Sequence, residues 1–425
     1  MESTCGYIVT LSTSLGRVHR GHVQGQSLDM AGTDPCGANV TLLLQGFGSL
    51  AAGMNVLITG GAGFIGSHLA DRLLAEGHTL RAFDNLDAQV HPERERPDYL
   101  DPEVELVAGD VRDRDAVRKA LDGIDTVVHF AAAVGVGQSM YEIERYTSIN
   151  AIGAAVVLEE AVARRDEIAK LLVASSMSIY GEGQYRNPRT GESGLAPWLR
   201  PESQLAAREW QVLADDGAPL EPEPTAETKI LRPTSIYAIN KRDHEEMFLA
   251  VGAAYGIPAV ALRFFNVYGE RQALSNPYTG VAAIFSSRIL NDRPPLVFED
   301  GRQTRDFIDV RDIARGCALA LTRDGADGRT LNLGTGVPTS ILEVAEVIAR
   351  GLGKEIEPEI VEQYRAGDIR HCYADTRLGG ELLGFRAEIP FEEGMQDLLA
   401  WLEGQEAADS VDAAREALVA RGLAR

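Results

Sequence analysis

The sequence has few cysteines, no long apolar run and a deficit of basic residues. Its four cysteines, Cys5, Cys36, Cys317 and Cys372, lack the spacing of a metal site or a disulfide framework. No apolar stretch approaches the roughly 20 residues needed to span a bilayer. The formal net charge of -22 argues against a nucleic-acid partner and against an anionic membrane surface. We therefore expect a cytoplasmic protein with no metal site, no membrane attachment and no nucleic-acid partner.

The first 53 residues differ in composition from the rest of the chain. Small and polar residues dominate there, and the apolar stretch 40–50 has no charged segment directly ahead of it, so it fits a secretory signal poorly. Met54 directly precedes the first predicted strand. We expect residues 1–53 to be disordered or not native, with Met54 as the native start. A targeting or regulatory arm is the alternative.

A glycine-rich turn joins the first predicted strand to the first predicted helix. Residues 59–66 read Thr-Gly-Gly-Ala-Gly-Phe-Ile-Gly. Gly60, Gly63 and Gly66 would let the backbone approach a pyrophosphate, whose charge would face the N–H groups at the helix start. The next predicted strand ends in Asp84, which is placed to accept hydrogen bonds from an adenosine ribose and disfavours a 2′-phosphate. These features predict a site for NAD rather than NADP.

From residue 54 onward, predicted strands alternate with predicted helices. This alternation is typical of a doubly wound parallel sheet. Asp110 and Val111 follow the third strand, where a carboxylate and a backbone group can meet an adenine. The strand that ends at Phe130 runs into Ala131 and Ala132, whose small side chains would let a cofactor lie across the strand end. The sequence therefore predicts an α/β fold of the Rossmann type.

A tyrosine and a lysine stand four positions apart in the segment Tyr-Ala-Ile-Asn-Lys. Tyr237 and Lys241 are separated by about one helical turn, so they lie on the same face of a helix. A free tyrosine has a pKa of about 10. We expect the Lys241 ammonium to lower the pKa of Tyr237, so that the phenol can act as a base near neutral pH.

The strand 170–174 leads into Ser175-Ser176-Met177-Ser178-Ile179-Tyr180-Gly181. With the glycine turn and the Tyr-Lys pair in the same order, the chain resembles the extended short-chain dehydrogenase/reductase family, the nucleotide-sugar epimerases and dehydratases, from about residue 55 to residue 402. The resemblance implies that Ser176 is the catalytic serine, Tyr237 the base and Lys241 its partner. It also implies an NAD site formed by Gly60, Gly63, Phe64, Ile65, Gly66, Asp84, Asn85, Asp110, Val111, Phe130, Ala131, Ala132, Asn150, Tyr237 and Lys241.

The resemblance also assigns a nucleotide-sugar site to the downstream half of the chain. Residues 262–269 resemble the family segment whose asparagine touches the diphosphate. Arg305 and Arg365 match the arginines that clamp phosphates, a task that suits the paired donors of a guanidinium. Asp368 would accept from the nucleoside ribose. The implied substrate contacts are Ser176, Asn266, Leu296, Phe298, Arg305, Arg365 and Asp368.

The resemblance divides the chain after the extension into three parts. We expect an NAD-binding Rossmann domain over 54–267, a smaller α/β substrate domain over 268–403 and a helical tail over 404–425. Residues 182–232 are an insertion, because the segment between Ser176 and Tyr237 is longer than usual in the family. We favour a lid over the sugar for this insertion, with a subunit contact or a solvated loop as alternatives.

The tail and the oligomeric state are less constrained by the sequence. Val411, Ala414, Leu418 and Leu423 recur at helical spacing in the tail, which could cover the core or be solvated. Dimerisation through two helices is common in the family, so we expect a homodimer.

The residues after Ser176 narrow the reaction that the resemblance implies. The family's 4,6-dehydratases and decarboxylases carry acidic residues directly after the catalytic Ser/Thr or two places beyond it, where this chain has Met177 and Ser178. The family's 3,5-epimerases place a cysteine where Ser178 stands. The implied function is therefore 4-epimerisation of a nucleotide sugar, by transient C4 oxidation and re-reduction.

The sequence around Ser176 and the block 276–285 resemble the dTDP-L-rhamnose 4-epimerase branch, which makes dTDP-L-rhamnose the lead substrate. Val134 stands where the UDP-galactose type carries a cofactor-contacting lysine, which agrees with this choice. UDP-glucose or UDP-glucuronate 4-epimerisation is the alternative. A non-catalytic NAD-binding sensor or scaffold is the alternative from another class.

Overall fold

A computed structural model describes residues 53–425 except 275, 277, 279, 406–408 and 410, so the expectations for residues 1–52 lie outside the described part of the chain. The strands are β1 Asn55–Thr59, β2 Thr79–Asp84, β3 Glu105–Ala108, β4 Thr126–His129, β5 Lys170–Ser176, β6 Gln184–Arg186, β7 Glu221–Glu223, β8 Ala259–Phe264, β9 Asn266–Tyr268, β10 Leu296–Val297, β11 Thr304–Asp309, β12 Arg329–Leu333, β13 Pro338–Ser340, β14 Glu359–Ile360 and β15 His371–Cys372. The helices are α1 Phe64–Ala75, α2 Arg114–Ala120, α3 Val136–Ser139, α4 Ile143–Thr147, α5 Gly153–Ala163, α6 Glu202–Ala206, α7 Ile236–Tyr255, α8 Val281–Leu290, α9 Val310–Thr322, α10 Ile341–Gly351, α11 Arg377–Leu383, α12 Phe391–Leu402 and α13 Val411–Ala420.

Seven parallel strands form the main sheet in the order β12-β8-β5-β4-β1-β2-β3. β1 pairs with β2 on one side and with β4 on the other, so the chain reverses its direction of winding at β1. Ligands of such sheets bind at the carboxyl ends of the strands beside this reversal. The topology confirms the doubly wound Rossmann-type fold that the sequence predicts.

Both faces of the main sheet are covered by helices. On one face, Leu69 and Leu73 of α1 pack with Ile313 and Cys317 of α9 against the strands. On the other face, α2, α5 and α7 contribute to a second buried cluster. Because the strands are buried on both sides, they read as continuous apolar runs rather than as alternating patterns. No helix in the described residues is long and apolar enough to cross a bilayer.

A smaller α/β unit lies in the C-terminal half. β9, β11, β13 and β15 form its sheet, and α8, α10 and α12 pack around a third buried cluster. The predicted boundary at residue 267 does not separate the two parts cleanly, because β12 returns to the main sheet and pairs with β8. The correction arises because strand pairing between distant segments leaves no local signal in the sequence.

Candidate active site

The glycine turn has the geometry of a phosphate-binding loop. Gly60 has a φ of 71°, and a Cβ there would lie 2.8 Å from the backbone nitrogen of Ala131. A Cβ on Gly66 would lie 2.3 Å from the carbonyl oxygen of Gly60. A Cβ on Gly63 would meet only that same oxygen within 4 Å, at 3.3 Å. Gly60 and Gly66 are therefore required by packing, whereas Gly63 lines an open cleft at the start of α1.

The cofactor cleft, as we call the cavity beside this turn, lies at the carboxyl ends of β1, β2 and β4. The Asp84 carboxylate lines this cleft and accepts hydrogen bonds from the backbone N–H groups of Ala62, at 3.1 Å, and of Leu86, at 3.0 Å. Burial raises the pKa of this carboxyl group, and the hydrogen bond from Leu86 opposes the rise. An open glycine cradle and an acidic residue at the next strand end together suit NAD. The predicted contacts that line this cleft are Gly60, Gly63, Phe64, Ile65, Gly66, Asp84, Asn85, Asp110, Val111, Phe130, Ala131, Ala132, Tyr237 and Lys241.

Asn150 is the one predicted cofactor contact that does not line the cofactor cleft. Its side chain is fully buried, accepts a hydrogen bond from the backbone nitrogen of Ala133 at 2.8 Å and donates to the Ala133 carbonyl at 3.1 Å. It sits in a π-helical turn, Ser148–Ile152, between α4 and α5. Asn150 therefore positions the backbone that follows β4, and its predicted role as a direct contact is corrected to an indirect one.

Ser176 and Tyr237 are brought together by β5 and α7. Ser176 is the last residue of β5, and its Oγ accepts a hydrogen bond from the Ser178 hydroxyl at 2.9 Å. Ser235 caps α7 by accepting from the backbone nitrogen of Ala238 at 3.1 Å, which fixes the first turn where Tyr237 lies. A second cavity, which we call the substrate cleft, meets the cofactor cleft at Ser176, Tyr237 and Asn266, which line both.

The protonation of the Tyr237 phenol differs from the sequence-based expectation. Burial raises its pKa to about 12, and a hydrogen bond with Ser176 lowers it only in part. The Lys241 ammonium donates to the Ala174 carbonyl at 3.0 Å, and burial lowers the pKa of Lys241 to about 7. The pKa of Tyr237 is thus governed here by burial and by Ser176, and the expectation that Lys241 lowers it stays a prediction. A buried phenol needs a nearby positive charge to ionise near neutral pH.

The substrate cleft gathers every predicted substrate contact. Arg365 donates to the Asp368 carboxylate at 2.8 Å, and Arg305 lies 3.4 Å from its other oxygen. Burial raises the pKa of Asp368, but the two arginines outweigh it and hold this pKa below its usual range. The Arg365 guanidinium also lies 4.7 Å from the centre of the Phe298 ring. The predicted contacts that line this cleft are Ser176, Asn266, Leu296, Phe298, Arg305, Arg365 and Asp368.

The buried amide oxygen of Asn266 has no hydrogen-bond partner among the described residues. Unpaired buried oxygens are costly, so a position that keeps one is suited to a polar ligand. Asn266 lies at the junction of the two clefts, where this oxygen can accept from a ligand hydroxyl, whereas the predicted contact to a diphosphate would use the donor N–H groups of the same amide.

Sequence reasoning missed several cleft residues. Gln89 donates to Gln138 of α3 at 3.1 Å and to Asn276 at 3.0 Å, and it links this helix with two loops beside the cofactor cleft. A polar residue in a loop carries no sequence signal for such a bridge. The substrate cleft is also lined by part of the tail: Val411, Ala414, Arg415, Leu418 and Leu423. The sequence named four of these residues as candidate contacts but left open whether the tail is packed or solvated.

The insertion 182–232 lies beside the substrate cleft rather than over it. None of its residues, all of which are described, lines either cleft. It forms a small buried cluster of its own around Tyr185, and its buried Arg200 pairs with Glu299 at 2.8 Å. The lid that the sequence suggested for this segment is therefore not observed. The local sequence could not predict this ion pair, because its two residues lie 99 positions apart in the chain.

The chain matches a family model and many known proteins. The model of the NAD dependent epimerase/dehydratase family matches residues 56–210 and 211–334. A dTDP-L-rhamnose 4-epimerase from Burkholderia thailandensis is 33% identical over 356 residues, which cover 83% of this chain and 96% of that protein. A putative UDP-glucose 4-epimerase from Methanocaldococcus jannaschii is 31% identical, over 82% of this chain and 98% of that protein. The crystal structure of a Thermus thermophilus UDP-glucose 4-epimerase in complex with NAD has a TM-score of 0.65 at 29% identity, and covers 83% of this chain and 100% of that one.

Proposed function

Because the chain belongs to the NAD dependent epimerase/dehydratase family, we propose that it inverts C4 of a nucleotide sugar, with dTDP-L-rhamnose as the lead substrate. The family match confirms the resemblance seen in the sequence, and the cofactor is NAD. The relative from Burkholderia thailandensis supports the lead substrate, whereas the relative from Methanocaldococcus jannaschii supports UDP-glucose as the alternative.

The observation that carries this proposal is the meeting of the two clefts at Ser176 and Tyr237. A sugar whose diphosphate lies between Arg305 and Arg365 can extend toward this junction, because all four residues line one continuous cleft. A sugar hydroxyl at the junction lies next to both the phenol and the serine hydroxyl. This arrangement suits removal and return of hydrogen at a C–OH group.

Each of the three catalytic residues has a separate task. NAD, when bound, brings a positively charged nicotinamide and supplies reversible oxidation of the sugar carbon. The Tyr237 hydroxyl holds the proton that leaves the sugar hydroxyl and gives it back when the carbonyl is reduced. Ser176 hydrogen bonds to the same sugar oxygen. Lys241 lines the cofactor cleft below Tyr237, anchored to Ala174, and is available to the cofactor.

Elimination of water is not supported by the groups around Ser176. Loss of a hydroxyl from C6 requires an acid beside the sugar. Among the described residues that line the substrate cleft, Asp368 carries the one carboxylate, and Arg305 and Arg365 pair with it. Met177 and Ser178, the two residues after Ser176, carry no acidic group. The rotation of a keto sugar followed by reduction on its other face needs no such acid.

Apolar side chains at the sugar end of the substrate cleft support a 6-deoxy sugar. Tyr237 donates its backbone N–H to Ser139 at 3.1 Å, so the neighbouring Met140 borders the same region of the cleft. Met177 follows Ser176 directly, and Val134 lines both clefts. A C6 methyl group can pack against such side chains, whereas the carboxylate of a glucuronate would lose hydration without a cation.

The experiment is an NMR product assay with dTDP-L-rhamnose, UDP-glucose and UDP-glucuronate. We expect the C4 epimer to accumulate from dTDP-L-rhamnose until equilibrium, and no product from a Tyr237→Phe variant that still binds NAD. Inversion of UDP-glucose alone would favour the alternative substrate. Full activity of Tyr237→Phe would contradict the proposed role of the phenol. NAD binding with no inversion of any sugar would favour a sensor or scaffold.

Three exposed apolar side chains on neighbouring helices support the predicted homodimer. The exposed fractions are 55% for Ile152, before α5, and 41% and 50% for Ile239 and Tyr255 on α7. A two-fold interface built from these two helices would cover such side chains on both subunits. We expect light scattering to give twice the chain mass, and an Ile239→Glu variant to reduce it; a monomeric wild-type protein would contradict this prediction.

A further inference from the structure

The C-terminal segment 411–425 runs along the substrate cleft. Val411, Ala414 and Leu418 of α13 line the cleft, and so does Leu423 beyond the helix. Leu418 lies against α3, where a Cβ on Gly137 would be 3.3 Å from its methyl group. The segment therefore forms part of the wall of the substrate cleft.

Three sets of contacts hold this segment in place. At and just before its start, Arg288 donates to Asp412 at 2.8 Å and Arg293 donates to Asp409 at 2.9 Å. Directly after α13, the Arg421 guanidinium lies 4.3 Å from the centre of the Tyr141 ring. A segment fixed by ion pairs and an aromatic contact is a defined part of the structure rather than a solvated end.

At its end, the segment pairs with the backbone next to Arg365. Ala366 donates its N–H to the Leu423 carbonyl at 2.8 Å, and Tyr364 and Arg425 exchange two hydrogen bonds at 2.9 and 3.0 Å. The tail is thus attached directly to the loop that carries a predicted phosphate contact.

Arg415 is the cation that the tail brings to the cleft. Its guanidinium donates to the Gln363 side-chain oxygen at 2.9 Å, and it forms no ion pair within the part of the chain that the structure describes. Arg305 and Arg365, by contrast, share the Asp368 carboxylate. Arg415 therefore adds a positive charge that no carboxylate of the described residues neutralises.

The charge of the cleft matches a nucleoside diphosphate only when Arg415 is included. The charged residues that line it are Arg305, Arg365, Asp368 and Arg415. Three cations and one anion leave two positive charges, which balance the two negative charges of a sugar-linked diphosphate, whereas the cleft without the tail would carry one positive charge. We propose that the tail is part of the substrate site and that Arg415 binds the diphosphate of the substrate, an inference that rests on the proposed nucleotide-sugar substrate.

The test is calorimetric titration of the full chain with dTDP and with UDP. We expect Arg415→Gln to weaken the binding of whichever nucleotide the wild-type protein binds by roughly 10- to 100-fold, as for a lost hydrogen bond between charged groups. The matched control is Arg350→Gln, which removes the same charge from an exposed position on α10 and should leave the affinity unchanged. Thermal unfolding without nucleotide should be the same for all three proteins, which separates a binding role from a structural one.

Each other outcome is informative. Wild-type affinity in Arg415→Gln, or an equal loss in Arg350→Gln, would overturn the inference, and so would a wild-type protein that binds neither nucleotide. Arg415→Gln could weaken dTDP or UDP binding while the wild-type protein inverts no sugar. That result would reject the proposed function but would keep the tail as part of a nucleoside-diphosphate site. A Leu418→Ala variant, compared with the exposed Val419→Ala, should raise KM for the sugar substrate more than it lowers kcat.

Discussion

Replacing two glycines of the same turn by alanine should weaken NAD binding in both variants but lower the stability of only one. A Cβ on Gly66 would lie 2.3 Å from the Gly60 carbonyl oxygen and 2.7 Å from the Cα of Gly61, so backbone atoms would have to move. Overpacking of this kind costs about 1–3 kcal/mol. We expect Gly66→Ala to lower both the free energy of unfolding and the NAD content of the purified protein.

Gly63→Ala should instead leave stability nearly unchanged. Its Cβ would meet only the Gly60 oxygen, at 3.3 Å, and would otherwise project into the cofactor cleft. A methyl group there would separate the pyrophosphate from the N–H groups of α1. The loss of one hydrogen bond to a charged group corresponds to about 1.5–3 kcal/mol, or roughly 10- to 100-fold in NAD affinity.

The assay combines urea unfolding with NAD titration of both variants. Gly404→Ala is the control, because a Cβ there has no atom within 4 Å. Wild-type NAD affinity in Gly63→Ala would refute the assignment of this turn to the pyrophosphate. Equal loss of stability in both alanine variants would refute the packing argument.

Three other perturbations test separate parts of the structure. Asp84→Asn keeps the shape of the side chain but removes the charge that disfavours a 2′-phosphate, so the ratio of NADP to NAD affinity should rise in titrations; an unchanged ratio would count against the ribose contact. Burial lowers the pKa of Lys241 to about 7, whereas an unfolded lysine titrates at about 10.4. Between these two pKa values the unfolded chain binds more protons than the folded chain, so stability rises with pH there. Cofactor-free Lys241→Met should lose this part of the rise in urea titrations. A pH profile of stability identical to that of the wild type would contradict the lowered pKa of Lys241. Glu299→Gln should cost about 3–5 kcal/mol in the same titrations, because it leaves the buried guanidinium of Arg200 without a carboxylate partner, whereas Arg370 keeps Asp300; a loss below about 1 kcal/mol would contradict that reading.

The residues that local chemistry dictates were predictable from the sequence. Gly60, Gly63 and Gly66 have a fixed spacing between a strand and a helix, and Tyr237 and Lys241 share a helix face. Both patterns depend on neighbours within a few positions, so the fold class and the cofactor cleft follow from them. The helical spacing in the tail left open whether it covers the core or is solvated, and the structure shows that four of its apolar residues line the substrate cleft.

The features that depend on distant partners were not predictable in this way. Asn150 supports the backbone at Ala133 rather than lining the cofactor cleft, because its side chain turns toward the end of β4. The pKa of Tyr237 is raised by burial and lowered in part by Ser176, neither of which the four-residue spacing to Lys241 reveals. The insertion is tied to Glu299 by Arg200, and the tail reaches the substrate cleft, only through tertiary contacts.

The most direct test of C4 inversion is to run the reaction in D₂O and follow the sugar protons by NMR. Because the hydrogen removed from C4 is the one that returns to it, we expect both epimers to keep a proton at C3, C4 and C5. Deuterium at C3 or C5 would indicate inversion by deprotonation beside a carbonyl, and deuterium at C4 would show exchange with solvent. Either result would contradict the account.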